Sequence, residues 1–404
     1  MIGAWIGSSL KPLRIRNIRR FSFVGSFQAS WIAGAELAKQ GEAKHRRVDF
    51  LDALRLIAAG AVLFQHVFEG RNAALDAIVD LTSPGVFGVV LFFFISGFVM
   101  PMTSERGFSL PRFATKRVLR IYPLLLLAFL FIAVLNGATG GAFFPAAFTT
   151  SPKFWLANIF LIQDYVRAPA VLNVTWTLSL EFAWYALFAA MMHFRGHPNI
   201  QTLIRAAPIV LLVLTAASVL AHFRMPFGRV GMIYAAIFGA RAYQLLRGQI
   251  ETRDFLRDAL IFEAVTLISN GVAFGYFRHP NITLWQAIMP WTLALIVFTT
   301  VCSVQSIRQS RLLNAEVLLF GGRISYSLYL LHPIALRIAD LLLGRANALL
   351  VGIVLAFVMA AAGYFLVERP GQDFANWVTR KGALPKVAAD AVGTSCEPGP
   401  PLRP

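Results

Sequence analysis

Between Phe50 and Leu366 apolar residues come in long blocks separated by short polar breaks. The blocks fall at about 50–68, 85–102, 119–136, 174–194, 207–222, 230–246, 258–277, 284–303, 316–338 and 348–367. Each is close to the roughly 20 residues a helix needs to cross the hydrocarbon core at about 1.5 Å per residue. The pattern predicts an all-α polytopic integral membrane protein with about ten transmembrane helices. The patch from Phe154 to Ile162 is too brief to cross and is expected to lie at the interface or to re-enter. Flanking the hydrophobic region, residues 1–48 form a basic leader and residues 371–404 a partly disordered tail, rich in Pro and small residues from 382 onward. The run from Phe21 to Leu37 is broken by Ser, Gly and Gln and lacks a clear cleavage site, so it reads as an interfacial or disordered segment, not a signal peptide.

Composition agrees with lipid as the main solvent. Hydrophobic residues make up 57% of the 404 and charged residues only 14%, against a usual charged share of about 25%. The net charge of +17 does not signal a nucleic-acid partner, because the Lys and Arg fall between apolar blocks and not on a soluble face. They also set the expected orientation. The leader, the loop with Arg106, Arg112, Lys116 and Arg117, the loops with Arg247, Arg253 and Arg257 and with Arg308 and Arg311, and the tail share one side. Glu69, Asp76, Asp80 and the weakly charged loop 137–173 fall on the other. Both termini are therefore expected in the cytoplasm. Two cysteines, Cys302 and Cys396, suggest neither a disulfide nor a metal site.

Ionisable residues inside apolar blocks carry the chemical information, since each is costly in lipid unless paired or set in a cavity. Arg55 and His66 lie eleven residues apart in the first block, on one helix face and separated by about 16 Å along the axis. Glu181 lies about two turns into the fourth block, and His332 precedes Pro333 in the ninth. With the first helix running outward, His66, Glu181 and His332 fall at one depth in the outer half. Arg55, Arg117, Arg120 and Arg369 fall on the inner side as a basic cluster suited to phosphate. Each also has a plainer reading. Arg55 can snorkel or pair with Asp52, and His66 can be an interfacial histidine. Glu181 can bond Ser, Tyr or Trp and only fix packing, His332 can pack at a kink, and the arginines can obey the positive-inside rule.

Six segments in order carry a resemblance. They are Leu51-Asp52-Ala53-Leu54-Arg55 with His66 after it, Gly88 to Phe98, Arg117-Val118-Leu119-Arg120-Ile121-Tyr122-Pro123, Trp176-Thr177-Leu178-Ser179-Leu180-Glu181, Ser325 to Pro333, and Glu368-Arg369-Pro370. With them the chain resembles the membrane-bound acyltransferase family 3, the bacterial sugar O-acyltransferases of exopolysaccharide, O-antigen and Nod-factor decoration. The resemblance covers residues 50–370 and marks 49–370 as a transmembrane acyltransferase domain. It implies that Arg55 and His66 are essential, that the donor is acyl-CoA, usually acetyl-CoA, with no bound cofactor or metal, and that the acceptor is a carbohydrate hydroxyl. A multi-pass protein of the bacterial inner membrane, working beside polysaccharide biosynthesis proteins, follows from it. Relatives carry an acidic residue where this chain has Val90, which bears on any role of that carboxylate in orienting the first helix.

On this basis the donor phosphates are expected on the cytoplasmic arginines, with Arg55 as anchor and Arg117, Arg120 and Arg369 beside it. The pantetheine arm would reach towards His66, the general base or a transient acyl carrier. Glu181 would orient an imidazole, with His332 a second candidate base and Asp52, Ser96, Trp176 and Tyr326 in support. Two rivals share the same polar residues: a transporter or flippase for a carbohydrate or lipid-linked intermediate, and an inactive relative. Acyl-CoA binding distinguishes the first from the enzyme, and acyl transfer distinguishes the second.

Overall fold

The computed structural model describes residues 48–71, 73–105, 107–144, 151–197, 199–279 and 282–381. The leader's basic residues, its Phe21–Leu37 run and the tail beyond Lys381 lie outside the described residues. The helices are α1 (Asp49–Phe68), α2 (Ala73–Thr82), α3 (Pro84–Ser104), α4 (Leu110–Ala138), α5 (Pro152–Ile159), α6 (Trp176–Arg195), α7 (Ile200–Leu220) and α8 (Phe227–Leu246). There follow α9 (Thr252–Asn270), α10 (Leu284–Ser303), α11 (Gln305–Arg308), α12 (Glu316–Arg323), α13 (Ser325–Leu343), α14 (Leu349–Gly363) and α15 (Arg369–Lys381). A π-turn prolongs α9 over Gly271–Tyr276, and another, Tyr364–Glu368, joins α14 to α15.

The protein is an all-α polytopic membrane protein. Among the described residues, eight helical stretches are long and apolar enough to cross a membrane: Asp49–Phe68, Ala73–Ser104, Leu110–Ala138, Ile200–Leu220, Thr252–Tyr276, Leu284–Ser303, Ser325–Leu343 and Leu349–Arg380. Of the ten expected spans, the two outside this set are α6 and α8, each 20 residues long. Both carry polar residues along their length, and α8 does so because it faces other helices and not lipid. Thirteen residues of α8 are buried, among them Arg241, whose Nε donates to Asp258 of α9 at 2.8 Å and whose Nη1 donates to Gln244 at 2.9 Å. A cation so paired and hydrogen-bonded is tolerable inside the bundle, whereas a lone one is not.

At the centre stands α3, apolar on every side and buried at thirteen of its 21 residues, as a helix hydrophobic all round should be. It packs on α1, α8 and α10. Its crossing with α8 is closed by two glycines. A Cβ on Gly97 would collide with the Ala236 carbonyl, and one on Gly239 with the Phe94 carbonyl. Small residues of this kind let helix backbones touch in a membrane, where packing and not water exclusion drives association.

One expectation needs correction. The ninth block is not one helix: the chain breaks at Ile324 (φ −87°, ψ 1°), leaving the short α12 before α13. Gly321 and Gly322 of α12 press on the Leu56 side chain and the Asp52 backbone of α1, so α12 lies against α1. The tail, for its part, begins as a helix: α15 runs to Lys381, with Gly371 set against the Leu119 carbonyl of α4. The Phe154–Ile162 patch holds the short α5, after which the chain turns at Leu161 (φ 56°).

Candidate active site

Five helices, α1, α3, α4, α6 and α13, enclose a cavity of about 790 Å³ counting its open mouth. At one end stand Arg55, Arg117, Arg120, Glu181 and Tyr185; Ser96 and Tyr326 line the wall; Phe92, Thr177 and Tyr329 lie towards the other end. Along α6 the lining runs from Tyr185 back to Thr177, about 12 Å at 1.5 Å per residue, and along α3 from Met100 back to Val89, about 16 Å. The cavity is thus a channel roughly parallel to the helices.

The arginine end brings positive and negative charges together. Arg55 donates to Asp52 one turn back, the pairing that their i, i+3 spacing allows. Arg117 is buried and lies over two rings, 5.3 Å from the Phe113 centroid and 5.1 Å from that of Tyr185, while its Nε has no hydrogen-bond partner. Arg120 is within electrostatic reach of Glu181 and Glu368. The Ser96 hydroxyl is also buried without a partner on the cavity wall. Buried donors without a partner are uncommon in native proteins, and both of these residues line the cavity.

The histidine end lies one turn further along α13. His66 and His332 stack with ring centroids 5.2 Å apart and an interplanar angle of 25°. His332 is fully buried, its Nδ1 3.1 Å from the Leu328 carbonyl and its Nε2 without a partner. The His66 side chain is 38% exposed, and its Nδ1 is 3.7 Å from Glu69. Tyr329, which lines the cavity, sits 6.2 Å from His332 by ring centroids. Its hydroxyl meets Thr177 at 2.8 Å and the Val174 carbonyl at 3.0 Å.

The loop after His66 is tied to the end of α13. Arg71 donates from Nε to the Val67 carbonyl and from Nη1 to the Arg345 carbonyl, and its Nη2 lies 3.4 Å from Asp340. Arg345 donates to the Glu69 carbonyl at 2.7 Å. Gly70 (φ +69°) lies beneath that guanidinium, where a Cβ would stand 2.7 Å from Nη2. Glycine meets both demands without strain.

Of the residues expected from sequence, Arg55, Arg117, Arg120, Glu181, Ser96 and Tyr326 meet in the cavity, and His66 and His332 meet each other. Glu181 is not bonded to an imidazole: its carboxylate accepts from Tyr185 among the arginines, and the carboxylate beside His66 is Glu69. Arg369 is not in the cavity. Its side chain is 59% exposed and 4.0 Å from Asp373. The preceding Glu368 turns inward instead, accepting from Ser327 at 2.8 Å and Gln372 at 3.1 Å. Trp176 opens α6 next to Thr177 and does not line the cavity. Tyr326 donates to the Ile121 carbonyl at 2.8 Å. Val90 is fully buried on α3. Tyr185, Tyr329, Glu368, Glu69 and Arg71 went unrecognised. Tyr329 and Glu368 lie inside quoted motifs, and Tyr185 and Glu69 are one turn from Glu181 and His66, but nothing in the sequence singles out Arg71.

The defining pattern of the family described as "Acyltransferase domain" matches residues 48–369. Over 188 residues the chain is 29% identical to Acyltransferase MdmB of Streptomyces mycarofaciens, covering 43% of this chain and 44% of that one. To the O-acetyl transferase of Shigella phage Sf6 it is 27% identical, covering 42% and 51%. It thus spans about half the length of these two relatives. To the exopolysaccharide production protein ExoZ of Rhizobium meliloti it is 26% identical, covering 78% of this chain and 95% of that one. No solved structure matches the chain.

Proposed function

We propose, on the premise that this chain belongs to the acyltransferase family matched over residues 48–369 and is an acyltransferase, that it moves an acyl group, acetyl first among them, from acyl-CoA to a carbohydrate hydroxyl. The acceptor is a cell-surface or exported sugar, and the protein sits in the bacterial inner membrane with its arginine end towards the cytoplasm. Relatives named as an exopolysaccharide production protein and an O-acetyl transferase support the acceptor and the acyl group. The positive loops support the orientation.

One observation carries the reading. A channel begins at three arginines, one with an unpaired buried Nε, and ends a single helical turn short of two stacked histidines. Arg55, Arg117 and Arg120 would take the donor phosphates, for which guanidinium forks are suited. Arg369 stands apart from that set. Glu181 and Glu368 act as counter-ions that hold the guanidiniums in place until phosphate arrives. The pantetheine arm lies along Ser96, Tyr326 and Phe92, and the thioester reaches Tyr329 and the histidines.

In the reaction the acceptor oxygen attacks the thioester carbonyl, forming the C–O bond as the C–S bond breaks. The hydroxyl proton passes to Nε2 of His66 and then to the departing CoA sulfur. Because Nδ1 of His66 faces Glu69, Nε2 is the nitrogen left for the proton, and the carboxylate steadies the imidazolium.

The test compares wild type with His66→Ala in a strain lacking its own copy, measuring ester-linked acetate on purified surface polysaccharide at equal membrane protein. The variant should lose acetate by about 10²- to 10⁴-fold, the usual worth of a positioned base, while its membranes still bind labelled acetyl-CoA. Acetate equal to the empty strain from both proteins, with no acetyl-CoA bound, would sink the proposal.

A further inference from the structure

The two histidines differ in a way that divides their work. Pro333 has no N–H, so the Tyr329 carbonyl, four residues back, loses its helical donor on the turn below His332. Into that turn the imidazole reaches back, and its Nδ1 lies 3.1 Å from the Leu328 carbonyl. A carbonyl only accepts, so Nδ1 must carry the hydrogen. In a neutral imidazole the other nitrogen then bears a lone pair. That nitrogen, Nε2, is buried in a residue with no exposure and has no partner. The Leu328 carbonyl thus fixes a tautomer and leaves one buried acceptor bare.

His332 is also poorly placed to become a cation. Among the described residues no carboxylate lies within ion-pair distance of it, and its ring neighbours are His66 and Tyr329. A buried charge without a partner is strongly disfavoured. His66 has the opposite setting, with a side chain 38% exposed and the Glu69 carboxylate at 3.7 Å. The rings are stacked with centroids 5.2 Å apart, so a hydroxyl that meets one ring has only a short way to turn to the other.

We infer that His332 is not the base but the neutral hydrogen-bond acceptor that aligns the attacking hydroxyl, while His66 takes its proton. The inference rests on the acyltransfer reading above and adds to it. The O–H of the acceptor first donates to Nε2 of His332, which points the oxygen lone pair at the thioester carbon. As the C–O bond forms, the O–H turns from Nε2 of His332 to Nε2 of His66, which takes the proton, and His332 stays neutral throughout.

Four proteins test this at matched membrane levels: wild type, His332→Gln, His332→Asn and His332→Ala. The probe is acetyl-CoA, with CoA thiol release in membranes (water standing in for the sugar) and ester-linked acetate in cells as readouts. Glutamine carries a carbonyl oxygen near the position of Nε2, which accepts a hydrogen bond but cannot take a proton. Asparagine reaches only as far as Nδ1. His332→Gln should keep activity within about tenfold of wild type, and His332→Asn and His332→Ala should lose about a hundredfold, the scale of one oriented hydrogen bond to a reacting group. All four should keep the same KM for acetyl-CoA and the same binding of labelled acetyl-CoA, which reports an intact cavity. His332→Gln falling as far as His332→Ala would overturn the inference and make His332 a proton carrier. Wild type that neither releases CoA nor adds acetate would overturn the acyltransfer reading, and the inference with it.

Discussion

At one end of the cavity three guanidiniums lie among three carboxylates, Asp52, Glu181 and Glu368; beyond the other, two imidazoles stack and a single carboxylate, Glu69, stands beside His66 alone. The arginine end is built from side chains that can exchange partners. Arg117 rests on aromatic faces with its Nε unpaired, and Arg120 is held by charges near it and by no salt bridge among the described residues. Such a site can trade an internal carboxylate for an incoming phosphate. The histidine end is held by backbone instead: the Leu328 carbonyl fixes His332, and carbonyls of Val67, Glu69 and Arg345 fix the loop that follows His66. Backbone partners do not rearrange. The contrast suggests that affinity is set at the first end and geometry at the second.

That division can be broken most directly at Arg117. Loss of its guanidinium removes a charge-assisted contact worth about 1.5–3 kcal/mol, so Arg117→Ala should raise KM for acetyl-CoA by about 10- to 100-fold with kcat little changed. Arg117→Lys should not restore it, because a point charge lacks the planar fork that lies over Phe113 and Tyr185. Initial rates against acetyl-CoA concentration decide the matter. A fall in kcat at constant KM would show that the arginine end also sets geometry.

The histidine end is probed at Arg71, which is far from any donor phosphate. Its side chain is 9% exposed and makes three contacts that join the ends of α1 and α13. Arg71→Ala should let the His66–His332 stack drift and lower kcat by about tenfold, the effect of roughly 1.4 kcal/mol, with KM for acetyl-CoA unchanged. Gly70→Ala should act in the same direction, since it pushes the Arg345 guanidinium off the Glu69 carbonyl. Single-turnover rates at saturating acetyl-CoA separate this from a loss of binding; an unchanged rate in both variants would leave the strap without a part in catalysis.

How far the sequence could lead is visible at individual residues. The apolar blocks were legible because lipid forces every backbone group into a helix of nearly fixed length, and the Asp52–Arg55 pair was one of two readings that the spacing allowed. Depth along a helix proved a weaker guide. Glu181 was expected level with the histidines, but a residue's depth says nothing about which neighbour its side chain meets, and Tyr185 on the same helix claimed it. The break at Ile324 was hidden in an unbroken apolar run, because its cause is the contact of Gly321 and Gly322 with α1. Arg71 gave no signal at all, since two of its partners are backbone carbonyls, one of them 274 residues away, and the third, Asp340, is 269 residues away.

The smallest expected effect sharpens the comparison most, at the Glu368-Arg369 pair. In a regular α-helix adjacent residues point about 100° apart, so one of the two must turn away from the cavity. The π-turn over Tyr364–Glu368 decides which, bringing Glu368 to Ser327 and Gln372 and leaving Arg369 outside. Arg369 is 59% exposed, and its contact with Asp373 at 4.0 Å is of a kind worth about 0–1 kcal/mol. Arg369→Ala should therefore change KM for acetyl-CoA by no more than about twofold, against the 10- to 100-fold expected at Arg117. Measured side by side, the two variants bound the arginine end. A tenfold rise in KM for Arg369→Ala would carry the donor site out of the helix bundle and onto α15, making that helix part of the mouth through which acyl-CoA enters.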